Sequence, residues 1–218
     1  MNILLQPGKI YHIYNHSVGE ANLFRNDKNF DYFLKKYAQY IFPICKTYAY
    51  CLMPNHFHIM IRVNEEEELD TYYHQLQKIK EENNQLKSKP SKPKTTNIID
   101  YPDFVMQQFQ NMFNGYAQAY NKMYNRKGAL FLDFVRRKEI SHEKYFSHLV
   151  YYIHNNPVHH KFCKNIEDWK YSSYHAIVGD KYTKIDKEEI LKWFGSIDWF
   201  KEFHETKYDS VIFKDFDF

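Results

Sequence analysis

The chain has 218 residues, with 30 Lys and Arg against 27 Asp and Glu, a net charge of +3 and a pI of about 8.5. That balance is too weak for global electrostatics to drive nucleic-acid binding, so any such surface must be a local concentration of Lys and Arg. No apolar run is long enough to span a membrane and Met1 to Gln6 is too short for a signal peptide, while the three cysteines (Cys45, Cys51, Cys163) show no Cys-x-x-Cys spacing, which argues against a closed zinc site and fits a reducing cytoplasm.

In chain order, Lys9 to Ser17 alternates like a strand and Asp27 to Tyr40 has the spacing of an amphipathic helix. Ile44 to Met53 and Phe57 to Val63 are predicted as paired strands joined at Pro54-Asn55. His56 and His58 lie near the start of the second of these. Residues i and i+2 of a strand project to the same side, so the two imidazoles converge on one point and Phe57 faces the opposite, buried layer. Such a pair holds a divalent metal through neutral ring nitrogens, or else is simply polar surface. His12 and His16 share one face of the first strand, within reach of a supporting role beside the pair.

Glu65 to Lys87 is highly charged and is predicted as a solvated helix, and the Lys-Ser-Lys-Pro-Ser-Lys-Pro-Lys stretch from Lys87 to Lys94 as a flexible, solvated insertion. From Asp103 to Met123 helical spacing resumes, with Val105, Phe109, Met112, Tyr116, Tyr120 and Met123 on one side, which makes both tyrosines core residues. After a turn at Arg126-Lys127-Gly128, Leu130 to Ile140 reads as a strand. It carries Arg136, Arg137 and Lys138, the best phosphate contacts in the chain.

In Ser141 to Val158, Phe146, Leu149, Val150 and Ile153 form the apolar stripe of a helix. Ser141 is the expected N-cap, and Pro157 is expected to stop the helix near Asn155 or Asn156. Tyr145, His148, Tyr152 and Asn156 form a flanking stripe at a partly exposed edge, with Tyr151 turned toward solvent. A phenol one turn from a carboxamide suits a nucleophile beside a metal ligand. An aromatic flank packing on a sheet accounts for the same spacing in a chain with 20 tyrosines. Lys187 to Phe194 and Trp199 to Glu205, rich in Trp and Phe, read as short helices that pack on the core or clasp a DNA hairpin, with packing the favoured reading.

Met53-Pro54-Asn55-His56-Phe57-His58, followed by Tyr152-Ile153 and Asn156-Pro157-Val158, resembles the single-tyrosine HUH transposases, most closely the REP-associated tyrosine transposase branch of the IS200-like family. The resemblance runs from about Lys9 to about Ile177. It includes Tyr11-His12-Ile13, Leu23 to Asp27, Tyr120-Asn121 with Gly128, and Asp168-Trp169 with Tyr171 to Tyr174. It departs at Asp133 and Phe134, where the family usually places a basic residue.

That resemblance implies an α+β fold, an antiparallel sheet flanked by helices of the ferredoxin-like or RRM-like HUH type. The corresponding domain is 1–179, with the charged insertion near 64–100 and a C-terminal helical extension over 180–218. It also implies a metal-dependent single-stranded DNA endonuclease and strand transferase that passes through a covalent 5′-phosphotyrosine. Tyr152 would be the nucleophile, and His56, His58 and Asn156 would be the ligands of Mg²⁺ or Mn²⁺. His148, one turn before Tyr152, is a candidate helper or an ordinary surface histidine. The expected partner is single-stranded or hairpin DNA. Related proteins include monomers and homodimers that complete each other's sites. A histidine-triad hydrolase would need a third histidine where Met60 stands. The remaining alternative is a domesticated protein that grips hairpin DNA without cutting it.

Overall fold

The computed structural model describes residues 3–86, 98–132, 135–142 and 145–206. Strand β1 (Ile10–His16) leads to helix α1 (Asp27–Tyr40), then to strands β2 (Cys45–Met53) and β3 (His56–Val63). Helices α2 (Glu66–Leu86) and α3 (Tyr101–Met123) come next, and then strand β4 (Arg136–Glu139) and helix α4 (Phe146–His159). Three short helices, α5 (Tyr174–Val178), α6 (Lys187–Phe194) and α7 (Ile197–Glu205), complete the described chain. The insertion expected at Lys87 to Lys94 lies outside the described residues, as do Asp133 and Phe134. Among those described, no helix is long and apolar enough to cross a membrane.

The sheet is antiparallel with order β2-β3-β1-β4. Its register is set by the two-residue link Pro54-Asn55, whose carbonyls accept from Phe24 N (2.9 Å) and Ser17 N (2.8 Å). Cross-strand partners face the same side, so each row of the register reads across the sheet. One face carries Met53-His56-His16, then Cys51-His58-Tyr14-Arg136, then Ala49-Met60-His12-Lys138. The other carries Leu52-Phe57-Asn15 and Tyr50-Ile59-Ile13-Arg137. The single-residue alternation of His56, Phe57 and His58 therefore sorts them as the sequence requires.

Helices α1 and α3 cover the Phe57 face, where Phe57 meets Phe33 at 5.3 Å between ring centroids and Tyr116 donates its hydroxyl to Leu23 O at 2.6 Å. Helix α1 starts on Asn26, whose side chain accepts from Asn29 N, and α3 starts on Asp100, which accepts from Asp103 N with Pro102 in the first turn. Helix α4 covers the histidine face, placing Leu149, Val150 and Ile153 in one cluster with Tyr48, Met53 and Met60. Ile190 of α6 and Phe200 of α7 belong to the same cluster, so the C-terminal helices pack onto the tyrosine-bearing helix.

Several local expectations need correcting. Ser141 does not cap α4: Ile140 N still bonds Ile10 O across the sheet, so the chain must first leave the strand, and the helix begins at Phe146. Pro157 does not stop it either, and the helix runs to His159. So near the end, a missing N–H removes only one bond, at Ile153 O, and the ring is buried. Tyr151 is buried because α7 returns to that flank, its ring 5.6 Å from His204. Met123 is 55% exposed, at the last residue of α3. Among the described residues, the strand expected over Leu130 to Ile140 is present as β4 plus a bridge from Ser17 to Phe131.

Candidate active site

The histidine face and α4 enclose a cavity of about 370 Å³ lined by Tyr14, His16, His56, His58, Tyr152, His159 and His160. The Tyr152 ring stands edge-on to His58 at 5.4 Å and to His12 at 5.9 Å between centroids. Tyr152 and Asn156 are buried rather than half exposed, because the sheet closes over the stripe. His56, His58, Tyr152 and Asn156 thus meet within one chain, across about a hundred residues of sequence.

Hydrogen bonds fix which atoms are left over. His56 Nδ1 lies 2.7 Å from Asn55 Oδ1 and donates to it, so Nε2 carries the lone pair of the neutral ring. Asn156 Nδ2 donates to Tyr152 O at 3.3 Å, which leaves Oδ1 as an acceptor. Among the described residues neither His56 Nε2 nor Asn156 Oδ1 meets a donor while His56 is neutral, although both are buried; only a protonated His56 would donate to Asn156. Two acceptors without a donor are an expensive arrangement, about 1–3 kcal/mol each, unless a cation or a donor is supplied. His58 Nδ1 pairs with His12 Nε2 at 2.9 Å. With Nδ1 as the donor, His58 likewise presents Nε2 as a lone pair, oriented by a second histidine.

The electrostatics keep these rings neutral. Burial, reinforced by His16 and His160, lowers the His56 pKa to about 3, with Asn156 partly offsetting. His58 lies well below its ordinary value because of burial and then His12, and His12 falls to about 3 through burial and Lys138. Neutral imidazole is the metal-binding form. Among the described residues no group of three His, Cys, Asp or Glu is placed to hold a metal ion. A set of two imidazoles and a carboxamide oxygen does not require one, and the orphaned Nε2 and Oδ1 atoms fit a hard or borderline divalent cation.

Other expected site residues divide. His12 takes the supporting position beside His58, and His16 stacks on His56 at 4.4 Å. Arg136 and Lys138 share the histidine face, next to Tyr14 and His12 respectively. Arg137 lies on the opposite face, bonded to Ile3 O and lining a separate cleft beside α3. His148 packs edge-on to Phe203 of α7 at 5.4 Å. Tyr14 and His160 had not been singled out. Tyr14 lies between His12 and His16 in the same alternation, and His160 continues the four-residue series His148, Tyr152, Asn156 once the helix is allowed past Pro157.

The fold and site together define an α+β domain whose antiparallel sheet presents a histidine pair to a tyrosine-bearing helix. Among solved structures it is similar to that of a REP-associated tyrosine transposase bound to a REP hairpin, with a TM-score of 0.54 over 84% of this chain and 88% of that one. The two share 14% of their residues, so the likeness is one of fold. No family model and no curated protein matches the chain.

Proposed function

We propose that this protein is a single-tyrosine HUH transposase of the REP-associated branch, a metal-dependent enzyme that cuts and rejoins single-stranded or hairpin DNA. The observation that carries the reading is the pair of buried acceptors, His56 Nε2 and Asn156 Oδ1, left without donors beside His58 and the Tyr152 ring. His56, His58 and Asn156 would hold Mg²⁺ or Mn²⁺, which when bound withdraws charge from a phosphate oxygen and so lowers the barrier to displacement. The fold likeness to a hairpin-bound tyrosine transposase supports the choice of DNA as substrate.

This chain's own residues supply the rest. The packing of Tyr152 against His58 and His12 restricts its ring, so the phenol enters a phosphate at the cavity from one direction. Attack forms the bond from Tyr152 Oη to phosphorus and breaks the bond from phosphorus to O3′. The phenol gives up its proton and the departing O3′ takes one to become a 3′-hydroxyl. The phosphotyrosine conserves the energy of the phosphodiester, so a 3′-hydroxyl reverses the step or joins new ends without a nucleotide cofactor. Arg136, beside Tyr14 at the sheet edge, would neutralise flanking phosphates.

The test is a denaturing gel after incubation of protein with single-stranded hairpin DNA and Mn²⁺. The wild type is expected to form a covalent adduct and Tyr152→Phe none. An adduct in Tyr152→Phe would displace Tyr152 as nucleophile. Tight hairpin binding with no adduct under any metal would favour the non-cutting, hairpin-gripping alternative.

A further inference from the structure

Among the described residues, one set of aromatic rings leads outward from the candidate metal ligands. His160 stands edge-on to His56 at 4.9 Å, Phe162 follows at 6.4 Å from His160, and Trp169 lies 5.7 Å from Phe162. Phe162 is 45% exposed. The Trp169 ring is fixed by its Nε1–H, which donates to Leu52 O at 2.9 Å.

The backbone that presents Phe162 is a tight helix stop. Lys161 N bonds Val158 O at 3.0 Å and Phe162 N bonds Pro157 O at 2.8 Å, the paired bonds of a Schellman turn. Its left-handed position, at φ 60°, is held by Lys161, where glycine would be the unstrained choice. The strain keeps an exposed cation between His160 and Phe162. The nearby carboxylate of Asp168 is turned onto Asn165 N (3.0 Å) and Nδ2 (3.1 Å), and Lys170 is paired with Asp27 at 2.8 Å. Lys161 therefore stands as the cation of this turn beside an open ring.

We propose that the turn from His159 to Phe162, with Trp169, is a stacking platform for the unpaired bases of single-stranded DNA that flank the phosphate at Tyr152. The proposal rests on the transposase reading for its substrate. Open ring faces accept any base, whereas bases within a duplex have their faces already covered, so the platform selects unpaired strand without selecting sequence. Lys161 supplies the backbone contact and Phe162 the stack. A strand leaving the cavity past His56 meets His160 and then Phe162.

The experiment measures binding of a short labelled oligothymidine by fluorescence anisotropy, in full-length protein carrying Tyr152→Phe so that no strand is consumed. Phe162→Ala is expected to weaken binding about tenfold, as loss of one base stack does, and Phe162→Tyr to retain it. Lys161→Gly is expected to raise the melting temperature while weakening binding and reducing the salt slope by about 0.7. A purely structural turn gives the first effect without the others. Unchanged affinity in Phe162→Ala, or no oligothymidine binding at all, overturns the platform. If hairpin DNA still forms an adduct in the wild type in that case, the transposase reading stands alone. If Phe162→Ala loses binding while the wild type never forms an adduct, the platform belongs to a binding protein and the transposase reading falls.

Discussion

Replacing Asn156 with Leu should make the metal-free protein more stable. Asn156 Oδ1 and the neutral His56 Nε2 are buried acceptors with no donor among the described residues, a burial penalty of about 1–3 kcal/mol. Leucine keeps the same branched shape, slightly larger, beside a cavity that can take it, and removes one of the two acceptors. The variant loses the long bond from Nδ2 to Tyr152 O, at 3.3 Å, which contributes at most about 1 kcal/mol. The net expectation is a gain of about 1 kcal/mol in EDTA, a rise of about 2–4 °C in melting temperature for a chain of this size. The wild type responds in the opposite way to metal. At about a hundred times its dissociation constant, Mn²⁺ adds about 2.7 kcal/mol, or about 5–10 °C, and the variant should lose most of that shift. Calorimetric melts of both proteins in EDTA and in Mn²⁺ measure all four values. A variant that is less stable than wild type in EDTA and still shows the full Mn²⁺ shift would refute the argument, because Asn156 would then be an ordinary satisfied amide and no ligand.

The register separates two neighbouring arginines: Arg136→Ala should weaken hairpin binding and lower its salt slope by about one, whereas Arg137→Ala, on the far face, should leave both unchanged in a filter-binding titration. His204, held at about 4 by burial against a smaller opposing effect from Phe200 O, takes up a proton on unfolding below its ordinary value of about 6.5. Its contribution is therefore fully present above that value and lost as the pH falls, about 2 kcal/mol by pH 5, and the fall in melting temperature from neutral pH should shrink in His204→Gln. Phe57→Ala, which empties a fully buried ring position between Phe33, Phe113 and Phe131, should cost about 3–5 kcal/mol by urea unfolding.

What could be read from the sequence was whatever depends on short-range periodicity. The faces of His56, Phe57 and His58 follow from alternation, and the stripe of Tyr152 and Asn156 follows from the helical repeat; both hold in the structure. Burial was misread wherever a distant element decides it. Tyr151 points outward on an isolated helix and is covered only because α7 returns to it. The cost of Pro157 depends on how near the helix is to its end, and stopping the helix there hid His160.

The departures from local rules gather in one place. The donor-less pair His56 Nε2 and Asn156 Oδ1, the proline at position 157 and the left-handed Lys161 all lie along the last turns of α4 where it crosses the start of β3. Elsewhere among the described residues, Asn64 Oδ1 lies just beyond the opposite end of β3, and Tyr171 Oη, whose ring stacks on Phe30, lies beside Asp27 and Lys170. A chain selected for stability alone would place glycine at 161 and an apolar residue at 156, each within reach of a single substitution step in design terms. Strain and unsatisfied polarity persist where another requirement outweighs stability. Their coincidence at the one corner where a phenol, two imidazoles and a carboxamide meet supports the proposed site on grounds separate from motif or fold likeness, because neither of those depends on hydrogen-bond satisfaction or on the backbone angle at Lys161.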